Sequence, residues 1–350
     1  MILRTGAALG LLCSIAAANP IVVSGTGSGV APQVNVFDKA THDQVGFFLA
    51  YDPAFQGGVR VAVGDFNNDG VDDIVTGTGA GGGPHVKVFD GAGVSAGGVA
   101  PAELRSFFVF SPSFTGGVFV AAGDLNGDHI FDIIVGAGAG GPAQVNVFDG
   151  TNLNLMHSFL AYDGFQGGVY VAAGDINGDG FDDIITGAGA GGGPHVKVFD
   201  GVSGGELQSF FAFDAGFAGG VTVAAGDWNN DGRDDIITGM ATNGGQVRVF
   251  DGATFSTLDS FFAFDPGFTG GVFVAGGSIL TAPGEGSTGP VNVFPAPGQP
   301  PASFFAYGPG YDGGVHIAAS APASVPEPSS WMLLGLGLTA FACRRRKLNT

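Results

Sequence analysis

Four times along this chain the same acidic nonapeptide returns. It stands at Asp65–Asp73 (DFNNDGVDD), Asp124–Asp132 (DLNGDHIFD), Asp175–Asp183 (DINGDGFDD) and Asp227–Asp235 (DWNNDGRDD). The start-to-start spacings are 59, 51 and 52 residues, the longer first interval reflecting an insertion around Gly91–Ala102. A period near 50 residues points to a propeller or solenoid array, in which each unit buries its apolar face against its neighbours.

Within each unit, Gly, Asp and Pro divide four short runs rich in Val, Ile and Phe. In the third unit these runs are Gly168–Gly174 (GVYVAAG), Asp183–Gly187 (DIITG), His195–Asp200 (HVKVFD) and Leu207–Asp214 (LQSFFAFD). None has a helical period, so each reads as a strand. Four antiparallel strands per unit make a propeller blade, which favours a propeller over a solenoid. The fourth run is apolar at successive positions (Phe210, Phe211, Phe213), which predicts cover from neighbouring blades on both of its faces.

The ends of the array are complementary. A fifth unit begins at Gly270 without an acidic loop, and runs through Val291–Phe294 to Phe304–Tyr307. After it comes a lone first strand, Gly313–Ala319. The chain's early part supplies what that strand lacks: Ile21–Gly25 matches a second strand, Gln33–Asp38 a third and Gly46–Asp52 a fourth. The expectation is an all-β, six-bladed propeller whose ring is closed by N- and C-terminal strands sharing one blade, which leaves no exposed sheet edge at the seam.

The nonapeptide carries oxygens at positions 1, 3, 5 and 9, with Gly at position 6 in three copies. Alternate side chains turn inward, Gly permits the tight turn, and the carbonyl at position 7 adds an oxygen. Such a loop suits a hard cation, and Ca²⁺ takes ~6–8 oxygen ligands. No Glu stands at position 12 and no helical period flanks the loop, so this is not an EF-hand.

A strand–loop–strand motif of this kind in a propeller resembles the FG-GAP repeat family, whose best-known members are the integrin α-chain propellers. Phe–x–Gly–Gly segments such as Phe217-Ala218-Gly219-Gly220 add to the resemblance, which covers most of residues 21–320. It implies an ion between the first two strands of a blade. The implied ligands are Asp65, Asn67, Asp69, the Val71 carbonyl and Asp73 in the first loop, and Asp124, Asn126, Asp128, Ile130 and Asp132 in the second. In the third they are Asp175, Asn177, Asp179, Phe181 and Asp183, and in the fourth Asp227, Asn229, Asp231, Arg233 and Asp235. His129 replaces Gly at position 6 of the second loop, which costs turn geometry there. Up to four structural Ca²⁺ ions are expected, with none in the fifth and sixth blades.

Composition fits a folded, exported and acidic body. Gly makes up 66 of 350 residues, but mean hydropathy is +0.33 and there are 32 Phe, enough apolar surface to bury. Gly does not fall at every third place, so collagen is excluded. The net charge of −19 speaks against nucleic acid, which needs a basic face. Of the 31 acids, 15 sit in the four loops.

Both ends read as addresses. Residues 1–18 have one basic residue, an apolar run from Ala7 to Ala17 and small residues before Asn19, the layout of a secretory signal peptide. Residues 325–350 read Val325-Pro326-Glu327-Pro328, an apolar run from Trp331 to Cys343, then Arg344-Arg345-Arg346-Lys347. The apolar run is short against the ~20 residues of a spanning helix, and its basic flank favours the cytoplasmic side. This tail resembles the PEP-CTERM sorting signal of Gram-negative bacteria. The resemblance implies an exosortase as processing partner, transient membrane association through the tail, and then surface display or release. The propeller body is expected to span 19–320. Both cysteines, Cys13 and Cys343, lie in the end segments, so the body has no disulfide to form.

Several features mimic chemistry. Gly77-Thr78-Gly79-Ala80-Gly81-Gly82 satisfies a dinucleotide-binding pattern, but Gly83-Pro84-His85-Val86 leads into a strand where a helix is needed. His85 and His195, with Lys87 and Lys197, recur at equivalent places, as residues serving the blade do. Asp163, Glu103, Glu206, Glu285 and Asp312 lie outside the loops and form no recognisable pair. The expected function is therefore an exported, calcium-binding, non-enzymatic surface or matrix propeller involved in adhesion or exopolysaccharide association. A lectin-like glycan binder is the alternative, and a secreted polysaccharide hydrolase or lyase a more distant one. The expected partners are extracellular polysaccharide or a surface protein.

Overall fold

The structure is a computed structural model and describes residues 20–321; the signal-like segment, the sorting tail and both cysteines lie outside the described residues. Twenty-four strands form six four-stranded antiparallel sheets. The first loop-bearing blade comprises β4 (Val59–Gly64), β5 (Asp73–Thr78), β6 (His85–Phe89) and β7 (Glu103–Phe108). Next come β8 (Val118–Gly123), β9 (Asp132–Ala137), β10 (Ala143–Phe148) and β11 (Leu155–Tyr162). The third blade has β12 (Val169–Gly174), β13 (Asp183–Ala188), β14 (His195–Phe199) and β15 (Glu206–Phe211). The fourth has β16 (Val221–Gly226), β17 (Asp235–Met240), β18 (Gln246–Phe250) and β19 (Thr257–Phe262). The fifth, without an acidic loop, has β20 (Val272–Ala275), β21 (Ile279–Pro283), β22 (Val291–Phe294) and β23 (Ala302–Phe304).

The sixth blade closes the ring as the sequence implies. Its inner strand is β24 (Val315–Ala319), followed outward by β1 (Ile21–Thr26), β2 (Gln33–Asp38) and β3 (Gln44–Leu49). β24 and β1 pair antiparallel from Val22↔Ala319 to Thr26↔Val315, and the Ser320 hydroxyl accepts from the Ile21 amide at 2.7 Å. Inner strands β4, β8, β12, β16, β20 and β24 neighbour one another in sequence around the axis, β24 returning to β4.

The core is six apolar clusters between blades rather than one centre. Valines and isoleucines of each second and third strand, among them Ile184, Ile185 and Val196, are fully buried there. A recurrent glycine in the second strand of every blade but the fifth makes this approach possible. A Cβ at Gly25, Gly136 or Gly187 would overlap the carbonyl oxygen of Val59, Val169 or Val221 in the next blade's inner strand. Tyrosines staple neighbouring blades. The Tyr162 hydroxyl donates to the Thr186 and His195 carbonyls (3.1 and 2.8 Å), and Tyr51 and Tyr307 do the same at their own seams.

The outermost strands differ from expectation. Phe211 is 52% exposed, as is Phe262, and Phe108 is 55% exposed, although Phe213, just past β15, is buried. Blades are wedges radiating from an axis, so their outer edges diverge and the neighbour no longer covers both faces. Two of these rings partly rest on their own blade instead: His85 stacks on Phe108 at 4.7 Å and donates to or accepts from Ser106 at 2.9 Å, and His195 repeats the arrangement with Phe211 and Ser209.

Candidate metal loops on one face of the ring

All four nonapeptides connect a blade's first strand to its second, so they lie together on one face of the ring. Position 2 pins each loop. Phe66, Leu125, Ile176 and Trp228 are buried in the clusters between blades.

The polar side chains then wind the backbone around themselves. In the third loop, one Asp175 oxygen accepts from the Gly178 amide (2.7 Å) and the other from Gly180 (2.9 Å). Asn177 Oδ1 accepts from Asp179, and Asp179 Oδ1 from Phe181. The same ladder runs through Asp65, Asn67 and Asp69 to Val71, and through Asp227, Asn229 and Asp231 to Arg233. Gly70, Gly180 and Gly232 sit at φ of 81°, 89° and 89°, where only glycine is free of strain.

The His129 substitution turns out to preserve the turn. His129 adopts φ 66°, and its amide donates to Asp124 Oδ2 at 2.9 Å as the glycines do; Asn126 Oδ1 and Asp128 Oδ1 then accept from Asp128 and Ile130. The cost is backbone strain, ~1–2 kcal/mol for a side chain in the left-handed region. His129→Gly is therefore expected to raise the stability of the metal-free protein by about 1 kcal/mol in chemical denaturation, with no gain if strain is absent.

Position 9 has a distinct place. Asp73, Asp132, Asp183 and Asp235 are 0–1% exposed, at the start of the second strand. Each carboxylate accepts from the amide at loop position 2 and from a glycine that follows the third strand: Gly91, Gly150, Gly201 or Gly252. Position 9 thus ties the loop to the far turn of its own blade. Position 8 ties it to the preceding blade. Asp182 Oδ2 accepts from the Asp124 amide and Asp234 Oδ2 from Asp175, while Phe131 packs in that place in the second loop.

Four further carboxylates, not anticipated from the nonapeptide, stand near the loops: Asp90, Asp149, Asp200 and Asp251, which end the third strands in Val-Phe-Asp-Gly. Their first role is a turn, as in Asp200 accepting from Ser203. In the third loop the Asn177 amide nitrogen lies 3.0 Å from Asp179, 3.3 Å from Asp183 and 3.5 Å from Asp200. In the fourth, Asn229 reaches Asp231 at 2.9 Å and Asp251 at 3.2 Å. The oxygens of three carboxylates in the third loop, and of two in the fourth, thus surround one small electropositive group, and a hard cation is attracted to the same field. As they stand, no three or more His, Cys, Asp or Glu side chains among the described residues are arranged to hold a metal ion. The donor set fits Ca²⁺ in chemistry, all oxygen and mostly anionic; ion binding would require Asn177 and Asn229 to turn their amide oxygens inward.

Burial pushes Asp73, Asp132 and Asp183 up to about 6, with the neighbouring loop carboxylates adding to the shift. Asp182 rises to about 7 and Asp234 to about 6 for the same first reason. These folded values exceed the ~3.9 of an unfolded Asp, so the folded state holds protons that the unfolded chain has released. Their contribution is fully present below about pH 4 and is lost as pH rises through 6 to 7. The metal-free protein is expected to melt at a lower temperature at pH 8 than at pH 5 in a calorimetric series, and calcium is expected to flatten that slope.

Inside the rim, the ring encloses a cavity of about 810 Å³ with Val and Ala walls and Asp72, Asp175, Asp182, Asp227 and Asp234 at its mouth. Arg233 is the one basic residue lining it. Of the acids outside the loops, Glu103 and Glu206 pair with Lys87 and Lys197 at 2.8 Å.

Residues 167–205, the third blade with its loop, match the family model of the FG-GAP repeat, and residues 324–347 match that of the PEP-CTERM protein-sorting motif. Among solved structures the chain is similar to one titled "Structure of Dos1 propeller", at 12% identity and a TM-score of 0.44, over 80% of this chain and 67% of that one. The sorting motif implies export, recognition by an exosortase and a C-terminal membrane-anchoring signal. Among the described residues no helix is long and apolar enough to cross a membrane.

Proposed function

We propose that this propeller is an exported, calcium-binding, non-enzymatic surface or matrix protein that associates with extracellular polysaccharide or a surface protein. A propeller with FG-GAP-type loops and a sorting motif suggests an exported surface protein. The observation that carries the finer reading is the fourfold display of oxygen-rich loops on one face, each linked by hydrogen bonds to its own blade and, through position 8 of the third and fourth loops, to the preceding one. Up to four Ca²⁺ ions there would cross-link blades and offset the buried carboxylates, which is structural work. Ligands would be the side chains of positions 1, 3, 5 and 9 with the carbonyl of position 7, and Asp200 and Asp251 stand close enough to join.

One observation favours the lectin-like alternative. Phe108, Phe211 and Phe262 stand exposed at one register of the outer strands β7, β15 and β19, opposite His85, His195 and Gln246, and Leu160 takes that register in β11. Flat apolar rings can stack on sugar faces. Retention of the purified body on immobilised bacterial exopolysaccharide, in calcium and in EGTA, separates the two readings. The scaffold reading expects retention in calcium alone; calcium-independent binding of one defined sugar on a glycan array would replace it with the lectin reading.

A further inference from the structure

The second residue of every inner strand points to the axis. These six residues, Arg60, Phe119, Tyr170, Thr222, Phe273 and His316, line one cavity of about 60 Å³ that plugs the channel below the acidic mouth. The repeat would allow one apolar residue six times over, but the ring holds a guanidinium and an imidazole.

Neither is fully satisfied by the protein, although Arg60 as a whole is only part-buried. Arg60 Nε and Nη1 are buried and donate to nothing, and His316, 5% exposed, has a buried Nε2 with no partner. No carboxylate comes within 4.0 Å of Arg60 among the described residues. Glu285 acts on it only from farther away, and its carboxylate lies 3.5 Å from the Ser28 amide on the exposed rim. The Phe119 ring faces the guanidinium at 4.9 Å, a contact that attracts the cation but supplies no counter-charge. Thr222 is already committed to the Val272 and Gly239 carbonyls. A counter-charge of small size is what the ring lacks.

We infer that the plug cavity binds a small monoanion, of halide to formate size, between the Arg60 guanidinium and the His316 Nε2–H. At about 10–15 Å³ for each water-sized atom, the cavity admits about four such atoms, too few for a phosphate ester or sugar acid. The anion neutralises the guanidinium and locks together the inner strands of the first and closing blades, β4 and β24.

Bromide tests this directly. Crystals of the propeller body grown in sodium gluconate, whose anion exceeds the cavity, are soaked in sodium bromide or in sodium formate. An anomalous bromide peak between Arg60 and His316 is expected, and formate should fill the same density. In solution at constant ionic strength, bromide, chloride and formate should each raise the melting temperature relative to gluconate. Arg60→Phe places there the residue that Phe119 and Phe273 carry at this register, so the ring tolerates it; the variant should lose the peak and the anion-dependent shift while melting cooperatively. His316→Phe should weaken bromide at least tenfold. Density without anomalous signal, a Glu285 carboxylate swung into the cavity, or an unchanged anion dependence in Arg60→Phe would overturn the inference.

Discussion

Deleting β24, by ending the chain at Asp312, is expected to leave a protein that aggregates or melts many degrees lower. The deletion removes Val315 and Ile317 from their buried cluster with Val22, Leu280 and Val291. Losing two such aliphatic side chains from a packed core costs ~4–8 kcal/mol, comparable to a whole domain's net stability. It also strips β1 of its five-residue pairing and exposes its edge. A permuted chain distinguishes lost closure from lost sequence. Ala319 pairs with Val22 at the open end of the β24–β1 ladder, so residues 313–321 joined directly before Pro20 would re-form the hairpin. This variant is expected to recover most of the melting temperature. A truncated chain as stable as the intact one would show that the ring does not depend on its seam.

The second large effect belongs to Asp235. Its carboxylate accepts from the amides of Trp228 (2.9 Å), Asn229 (3.1 Å) and Gly252 (3.0 Å), and the residue is fully buried. Asp235→Ala orphans two buried donors, each costing ~1–3 kcal/mol, and a third, the Asn229 amide, that is part-buried; removing a buried anion offsets part of this, leaving a net loss of about 2–3 kcal/mol. Asp231 is the contrast. It is exposed, and among backbone groups it accepts only from Arg233, so Asp231→Ala should cost under ~1 kcal/mol without metal. Both substitutions should reduce calcium uptake by one ion. Denaturant titration in EGTA beside calcium stoichiometry checks the pair; equal stabilities for the two variants would contradict the staple assigned to position 9.

Much of this molecule is legible in its repeat. The spacing of the nonapeptide, the four runs per unit and the complementary ends lead to six blades and a shared one, because repetition and strand patterning are local properties of the chain. The outer strands were not legible in the same way. Phe211 and Phe213 look alike in sequence, yet one is exposed and the other buried, since divergence of blades is a property of the ring. The loop positions 1, 3, 5 and 9 were visible from their spacing. Asp200 and Asp251 lie outside that spacing, some twenty residues downstream, and only the recurrent Val-Phe-Asp-Gly ending marks them in the sequence. Position 2 and position 8 act between blades, and no pattern within one unit reveals a partner in the next. Arg60 and His316 are harder still. They interrupt a position that is otherwise mostly aromatic, and only ring geometry brings residues 256 apart in sequence to one axis.

The central claim, that the acidic face is a set of cation sites built into the blades, is most directly tested by calcium titration of the propeller body after exhaustive EGTA treatment and buffer exchange. Isothermal calorimetry should show uptake of more than one and up to four ions, and differential scanning calorimetry should show a melting temperature that climbs with calcium, because an ion bound only by the native state stabilises it by about 2.7 kcal/mol at one hundred times its dissociation constant. Magnesium at the same concentration should do much less, since it resists dehydration and demands a tighter octahedral site. A melting temperature unchanged from zero to several millimolar calcium, with no heat of binding, would contradict the account and leave the four loops as turns held by their own hydrogen bonds.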